Sequence, residues 1–267
     1  MSERNSFDDG TLYRGWAIHI QRYEFAAQFC NERLVIDAGC GIGYGSHFLA
    51  RHGATSVVGI DYSDTALVEA RKHYKCDRLK FLLGNLEDRT SIELKKIPYN
   101  TIVHLENLEH LYHPDQFYNW AIREINSTSD GVAAIVSSPN GEVTRFTPDG
   151  KIANEFHIHE YAPMEFGEFL RQYFRSVTLY GQWERPEAVS RIDRERRLFD
   201  QLLESYYNPS ARIGRMIKKV LWKKNLPPPH FTAAGESYPW EYEISALDDP
   251  PFPWKPMYLL AVCRGVK

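Results

Sequence analysis

Apolar residues along this chain fall into short runs that alternate with stretches of helical spacing. Leu34-Val35-Ile36 and Val57-Val58-Gly59-Ile60 are continuous apolar stretches, each closed by an acid, Asp37 or Asp61. Runs of this length between turn residues predict strands buried on both faces. The pattern predicts strands near 33–38, 55–60, 79–83, 101–105 and 132–137, with helices over 44–52, 64–74 and 114–126. Such alternation argues for a parallel sheet covered by helices on both faces. Gly53, Gly84 and Gly131 punctuate it. Trp16, His19, Ile20, Tyr23 and Ala27 recur at helical spacing and predict a leading helix over 11–30. Beyond the fifth strand, a stretch rich in Gly, Pro, Thr and Asp up to Asn154 predicts a mobile surface loop. A helix over 163–173, a strand over 176–182 and a last strand over 257–264 complete the series.

The break after the first strand carries the most chemistry. Asp37 is followed by Gly39, Gly41 and Gly43 at alternate positions. A glycine-rich turn after a buried strand brings bare backbone close to a ligand. The spacing is not the G-x-G-x-x-G of a dinucleotide site. The acid before the first glycine would repel a pyrophosphate and suits a ligand with an ammonium group. The segment resembles the first motif, D-x-G-x-G-x-G, of class I S-adenosylmethionine (SAM)-dependent methyltransferases. The resemblance implies an α/β, Rossmann-like sheet of seven strands with the last one antiparallel; in this chain a helical and irregular insertion precedes that strand. It implies SAM as cofactor, held by Asp37, Gly39, Gly41 and Gly43. Asp61, about 20 residues on, would take the ribose hydroxyls, with Tyr62 beside it. A helix-capping role for Asp61 is the plainer alternative, but Ser63 or Asp64 suits that better. Where the family usually has Gly-Asp-Ala, this chain has Gly84-Asn85-Leu86. Asn85 then lies by the adenine amine and Leu86 packs on the adenine face.

The segment Leu105-Glu106-Asn107-Leu108-Glu109-His110-Leu111 follows the fourth strand. It falls in the crevice at the carboxyl ends of the strands, where open α/β sheets bind ligands. Glu106 lies toward the methionine end of SAM, and Glu109 and His110 toward the acceptor. The phrase resembles the E-x-x-E-H of ubiquinone-pathway O-methyltransferases and small-RNA ribose methyltransferases. In some of those the glutamates and histidine hold a divalent metal with a later histidine. That set here is Glu106, Glu109, His110 and His157, with His159 as the other choice for the last place. Oxygen and imidazole ligands together suit a borderline or hard divalent ion. The plainer catalytic reading makes His110 or His157 a general base oriented by a carboxylate such as Glu109, because an alcohol must lose its proton. The blandest has His110 pack a turn before Pro114.

Composition narrows the rest. The chain has 267 residues, 43% of them hydrophobic, and a net charge of -3, which suits one α/β domain with an insertion. No apolar run reaches the length of a membrane-spanning helix. Met1 to Gly10 is polar and acidic, unlike a signal peptide. Cys30, Cys40, Cys76 and Cys263 show no ligand spacing and read as reduced thiols of a cytoplasmic protein. The near-neutral charge argues against a nucleic-acid partner. A detour of about seventy residues separates the last two predicted strands and must hold structure of its own. It starts with a charged helical pattern over 190–207. A short basic amphipathic helix follows over 212–224, read as a solvated face over a lid rather than a peripheral membrane contact. Pro227-Pro228-Pro229 and the aromatics Phe231, Tyr238, Trp240, Tyr242, Phe252 and Trp254 come last. Aromatic faces suit sugar rings and ordinary packing equally.

These readings divide the chain into a cap helix (1–30), a SAM-binding core (31–183), an insertion over the substrate (184–255) and a final core strand (256–267). The phrases His19-x-x-Arg22-Tyr23 and His157-x-x-Glu160-Tyr161 resemble a bacterial subgroup found among glycan-assembly enzymes. The leading expectation is O-methylation of a sugar hydroxyl on a glycan, a nucleotide sugar or a related small molecule. The alternatives are N-methylation of an aminosugar or natural product, and a SAM-binding module without catalysis. An NAD-dependent dehydrogenase is disfavoured by Asp37 and by the glycine spacing.

Overall fold

A computed structural model describes residues 12–92, 97–126, 131–147, 149–185 and 242–267. The helical patterns over 190–207 and 212–224, the proline run and the aromatics Phe231, Tyr238 and Trp240 lie outside these residues. No helix among the described residues is long and apolar enough to cross a membrane.

Helix α1 (Leu12–Ala27) leads into β1 (Leu34–Ala38), α2 (Tyr44–Arg51), β2 (Ser56–Asp61), α3 (Asp64–His73) and β3 (Leu79–Leu83). The chain then crosses to β4 (Thr101–His104), α4 (Pro114–Glu124), β5 (Val132–Pro139), α5 (Pro163–Arg171) and β6 (Phe174–Glu184). Two strands, β7 (Tyr242–Ala246) and β8 (Tyr258–Val266), end it. Local chemistry sets the boundaries. Ser63 caps α3 by accepting the Ala66 N–H at 3.3 Å. Prolines open α4 and α5, where the missing N–H costs nothing.

The sheet order is β3-β2-β1-β4-β5-β8-β6-β7. The five strands from β3 to β5 are parallel. β8 runs antiparallel between β5 and β6, and β7 runs antiparallel beside β6. Among the described residues the sheet therefore has eight strands where seven were expected. The extra one, β7, comes from the detour, so part of that segment extends the sheet.

Successive strand residues serve opposite faces, as the two-residue period of a strand requires. Ile36, Val58, Ile102 and Ala134 join Phe117, Phe166 and Leu170 of α4 and α5. Val35, Val57, Val103 and Ile135 join Tyr23, Leu49 and Ala66 of α1, α2 and α3. The strand order reverses at β1, whose neighbours are β2 and β4. A crevice opens at such a switch point, outside the carboxyl ends of the strands.

Candidate functional site

The glycine turn and the Glu106–His110 segment meet at this crevice. The N–H groups of Gly39 and Cys40 both donate to the Ile60 carbonyl, at 2.8 and 3.0 Å, fastening the turn to the end of β2. Gly41 has φ +54, and a Cβ there would meet nothing within 4 Å. It lines the cavity, and its N–H donates to Asp61 Oδ2 at 2.8 Å. Asp61 Oδ1 accepts the Ser63 N–H at 2.8 Å. The carboxylate is thus oriented from both sides, on the cavity wall.

Two of the residues expected at SAM do not line this cavity. Asp37 is fully buried and is not on the cavity wall. Its oxygens accept the Ser46 hydroxyl at 2.5 Å and the Tyr23 hydroxyl at 3.1 Å. Burial raises its pKa to about 6, against the pull of these two hydrogen bonds. Asp37 therefore ties α1 and α2 together beneath the turn. Gly43 also lies off the wall. A Cβ at Gly43 would sit 2.5 Å from the Phe81 ring and 2.8 Å from the Ala70 Cβ, so the packing against β3 and α3 requires glycine. Gly39, Tyr62, Asn85 and Leu86 do line the cavity. The Leu86 carbonyl is held by the Trp120 indole N–H at 2.8 Å, and Asn85 Oδ1 accepts the Glu87 N–H at 3.0 Å.

Asn107 packs against Gly39 so closely that a Cβ there would fall 2.4 Å from its Cγ. Asn107 Oδ1 contacts His104 Nε2 at 3.1 Å, and the Tyr118 hydroxyl contacts His104 Nδ1 at 3.0 Å. An amide oxygen only accepts, so Nε2 carries the proton and Nδ1 accepts from Tyr118. Burial depresses the His104 pKa to about 4, and the ring stays neutral at pH 7. This neutral chain braces the floor of the crevice.

Glu106 has φ +50, a left-handed conformation that costs a non-glycine residue free energy and tends to cluster at functional sites. Its N–H donates to Ser137 Oγ at 3.1 Å, and that hydroxyl donates to Glu106 Oε1 at 2.8 Å. The other oxygen faces Arg22 Nη2 at 3.4 Å. Arg22 is itself fully buried, donates to Gln182 at 2.7 Å and lies 4.2 Å over the Tyr258 ring.

Glu109, His110 and His157 form a tight group, each placing one potential ligand atom within 4.8 Å of the others. Glu106 is not part of it. Glu109 is buried, and its Oε2 makes no hydrogen bond among the described residues. Burial, then the nearby Glu106 charge, raises its pKa well above the usual carboxylate range. The Glu109 carbonyl accepts the Ile158 N–H at 2.7 Å, which pins the later histidine segment to the earlier one. His110 Nδ1 donates to the Phe156 carbonyl at 2.9 Å, so the basic lone pair of its ring belongs to Nε2.

His157 is committed differently. Its Nδ1 contacts Glu160 at 2.5 Å. Asn154 Oδ1 accepts the Phe156 N–H at 3.1 Å, which turns the amide NH2 toward His157 Nε2 at 2.8 Å. Both ring nitrogens of His157 are thus engaged within its own segment. His159 pairs with Glu165 at 2.7 Å outside the group. The loop after β5 holds a short 3-10 turn, Gly141–Val143, and a bridge between Phe146 and Ile152. It forms one wall of the same cavity.

This cavity encloses 2520 Å³, against roughly 300–1,000 Å³ for an ordinary small-ligand pocket, so a cofactor would fill only part of it. Residues 35–127, which carry the glycine turn, Asp61 and the Glu106–His110 segment, match the model of a family described as a methyltransferase domain. Over those residues the chain is similar to methyltransferase domains. A probable S-adenosylmethionine-dependent methyltransferase of Mycolicibacterium smegmatis is 32% identical over 149 residues, which are 55% of this chain and 54% of that protein. A second one, from Mycobacterium tuberculosis, is 31% identical over 140 residues, 52% of this chain and 47% of that protein. The chain spans about half the length of these relatives. The crystal structure of the methyltransferase domain of bacterial CtHen1-C superposes with a TM-score of 0.50 at 22% identity, over 64% of this chain and 92% of that one. That likeness is one of fold.

Within the matched residues and their flanks, several site-forming residues carry little sequence signal. Ser46 and Ser137 carry no sequence signal. Arg22 and Tyr23 had one, the phrase His19-x-x-Arg22-Tyr23, but only the fold shows them under Glu106 and Asp37.

Proposed function

We propose that this chain is a SAM-dependent O-methyltransferase that acts on a sugar hydroxyl, with His110 as the general base. The observation that supports it most is the shared cavity. Gly41 and Asp61, suited to the cofactor, line the same space as His110. The reaction is a displacement at the sulfonium methyl carbon. Bound SAM would supply the methyl group and depart as S-adenosylhomocysteine, and His110 Nε2 would take the proton that the acceptor hydroxyl loses as its oxygen gains the methyl. The protein contributes position and a proton acceptor, and the cofactor contributes the reactive group. The Nδ1–H bond to the Phe156 carbonyl keeps Nε2 as the basic nitrogen and stabilises the imidazolium once it forms.

His110→Ala should lower turnover by about 10²-fold or more while SAM affinity stays the same. Full turnover in that variant would remove the base role and favour an amine acceptor, which needs less help in losing its proton. Calorimetric titration with SAM and with NAD tests the cofactor. Heat of binding is expected for SAM alone, and silence toward millimolar SAM would refute the proposal.

The group of Glu109, His110 and His157 supports a second reading of the same chemistry. The three donor atoms and the buried, unbonded Glu109 Oε2 fit a divalent cation. Such an ion would act as a Lewis acid on the acceptor oxygen. His110 would join through Nε2, and His157 would have to exchange its Asn154 contact. Under this reading manganese(II) titrated into the protein gives a bound-ion paramagnetic resonance signal that Glu109→Gln abolishes. A free-ion spectrum throughout would dismiss it.

A further inference from the structure

The rim of the cavity holds an aromatic face that the methyl-transfer residues do not use. We propose that Trp254 is the platform on which the pyranose ring of the acceptor stacks. This rests on the reading of the acceptor as a sugar and names the surface that holds it.

Trp254 lines the cavity and is 38% exposed, unusual for so large an apolar ring in an otherwise packed region. It is rigidly mounted. Its back rests on Phe252, with ring centroids 4.9 Å apart and planes 4° from parallel. Its indole N–H donates to the Glu184 carbonyl at 3.2 Å, and its own carbonyl accepts the Trp183 indole N–H at 2.8 Å. Trp183 is buried against Gly181, where a Cβ would strike it at 2.5 Å. The ring is thus fixed from behind and from the edge, which is the pre-organisation that makes a contact face bind well.

The surroundings select a sugar over a flat apolar ligand. Glu184 lines the cavity beside the indole. Lys255, the next residue, pairs with Glu142 at 3.1 Å, and Asn140 donates to the Pro256 carbonyl at 2.8 Å. Glu184 and Lys255 line the cavity together with Trp254, and a pyranose offers a C–H face for stacking and hydroxyls at its edge for such polar neighbours. An apolar ring would desolvate those polar groups without bonding them.

Saturation-transfer NMR on the full chain with S-adenosylhomocysteine bound tests this. The probes are methyl pyranosides of glucose, galactose and mannose, and UDP-glucose. At least one is expected to receive saturation on its ring C–H protons. Trp254→Ala should weaken that sugar about tenfold and remove the ring-face signal, while Trp254→Phe keeps most of both. Affinity for S-adenosylhomocysteine should stay within about twofold in each, because no cofactor contact is altered. Should Trp254→Ala unfold, Trp254→Leu keeps apolar volume on Phe252 without a ring and decides the matter. Undiminished sugar binding in the ring-less variant, or no sugar signal from cofactor-loaded wild type, overturns the platform. Sugar binding through Trp254 without methyl transfer would overturn the proposed function and leave the platform standing.

Discussion

Gly41 and Gly43 sit two residues apart in one turn, yet a side chain at each would meet different surroundings. Both have positive φ, which costs a substituted alanine roughly 1 kcal/mol. At Gly41 that is the whole structural cost, since the added methyl points into open space on the cavity wall. At Gly43 the methyl also collides with Phe81 and Ala70. Gly41→Ala should lose about 1 kcal/mol of stability and bind SAM more weakly, as the methyl occupies cofactor space. Gly43→Ala should lose roughly 3 kcal/mol, with its folded fraction binding SAM nearly normally. Denaturant midpoints and calorimetric titration separate the two. Equal stability losses would contradict the packing role of Gly43. The motif spacing shows three glycines of one kind. Only their neighbours, from β3, α3 and the segment after β4, distinguish them. The same holds for Asp37, whose place before Gly39 was legible but whose partners Tyr23 and Ser46 come from two helices.

At the scale of elements, the five parallel strands announce themselves because each is a short, mainly apolar run bounded by turn residues. β7 did not, since Tyr242-Glu243-Ile244-Ser245-Ala246 is short and mixed. It is a strand because β6 offers an edge to pair with, in a register that sets Gly181 against Ser245. Gly181 also faces Leu259 of β8 and lies against Trp183 and Pro256. A larger residue there would press on the layer that carries Trp254. Gly181→Val should therefore lower stability by about 1–3 kcal/mol, read from the urea midpoint, and loosen sugar binding more than SAM binding. An unchanged midpoint would mean that this layer is less closely packed than it is drawn. The loop after β5 shows the reverse case. Its Gly, Pro and Asp content predicts irregular backbone, and only the Phe146–Ile152 bridge makes it a cavity wall.

For the molecule as a whole, two buried groups tie folding to pH with opposite sign. Asp37 has its pKa raised from 3.8 to about 6 by burial, and the Asp61 charge adds to the rise. Between these values the folded chain keeps a proton that the unfolded chain has released, so this contribution to stability falls as pH rises. His104 has its pKa lowered from 6.5 to about 4 by burial. Over that range the unfolded chain takes up a proton that the folded chain refuses, so stability falls as pH drops. The two slopes oppose one another between about pH 4 and 6. Asp37→Asn removes the first and leaves the second. Relative to wild type it should lose an additional 2–3 kcal/mol, in order of magnitude, on going from pH 6 to pH 4, measured by urea unfolding. Parallel curves for the two proteins would mean that Asp37 does not titrate in this window.

The sequence by itself determined the alternation of strands and helices, the glycine turn with Asp61 beyond it, and the clustering of Glu106, Glu109 and His110 after the fourth strand. These are local properties, set by the two- and 3.6-residue periods and by a few turn residues, and they suffice to indicate the kind of cofactor. Only the tertiary structure decided that Asp37 faces inward, that Arg22 lies beneath Glu106, and that His110 Nδ1 meets the Phe156 carbonyl. It also gave the detour an eighth strand and put Trp254 on the cavity rim. Most of these depend on burial and on partners distant in sequence, such as Arg22 with Gln182 or Trp183 with Trp254. Hydrophobic periodicity carries no record of such pairs, because burial follows from the packing of whole layers and not from the order of neighbouring residues.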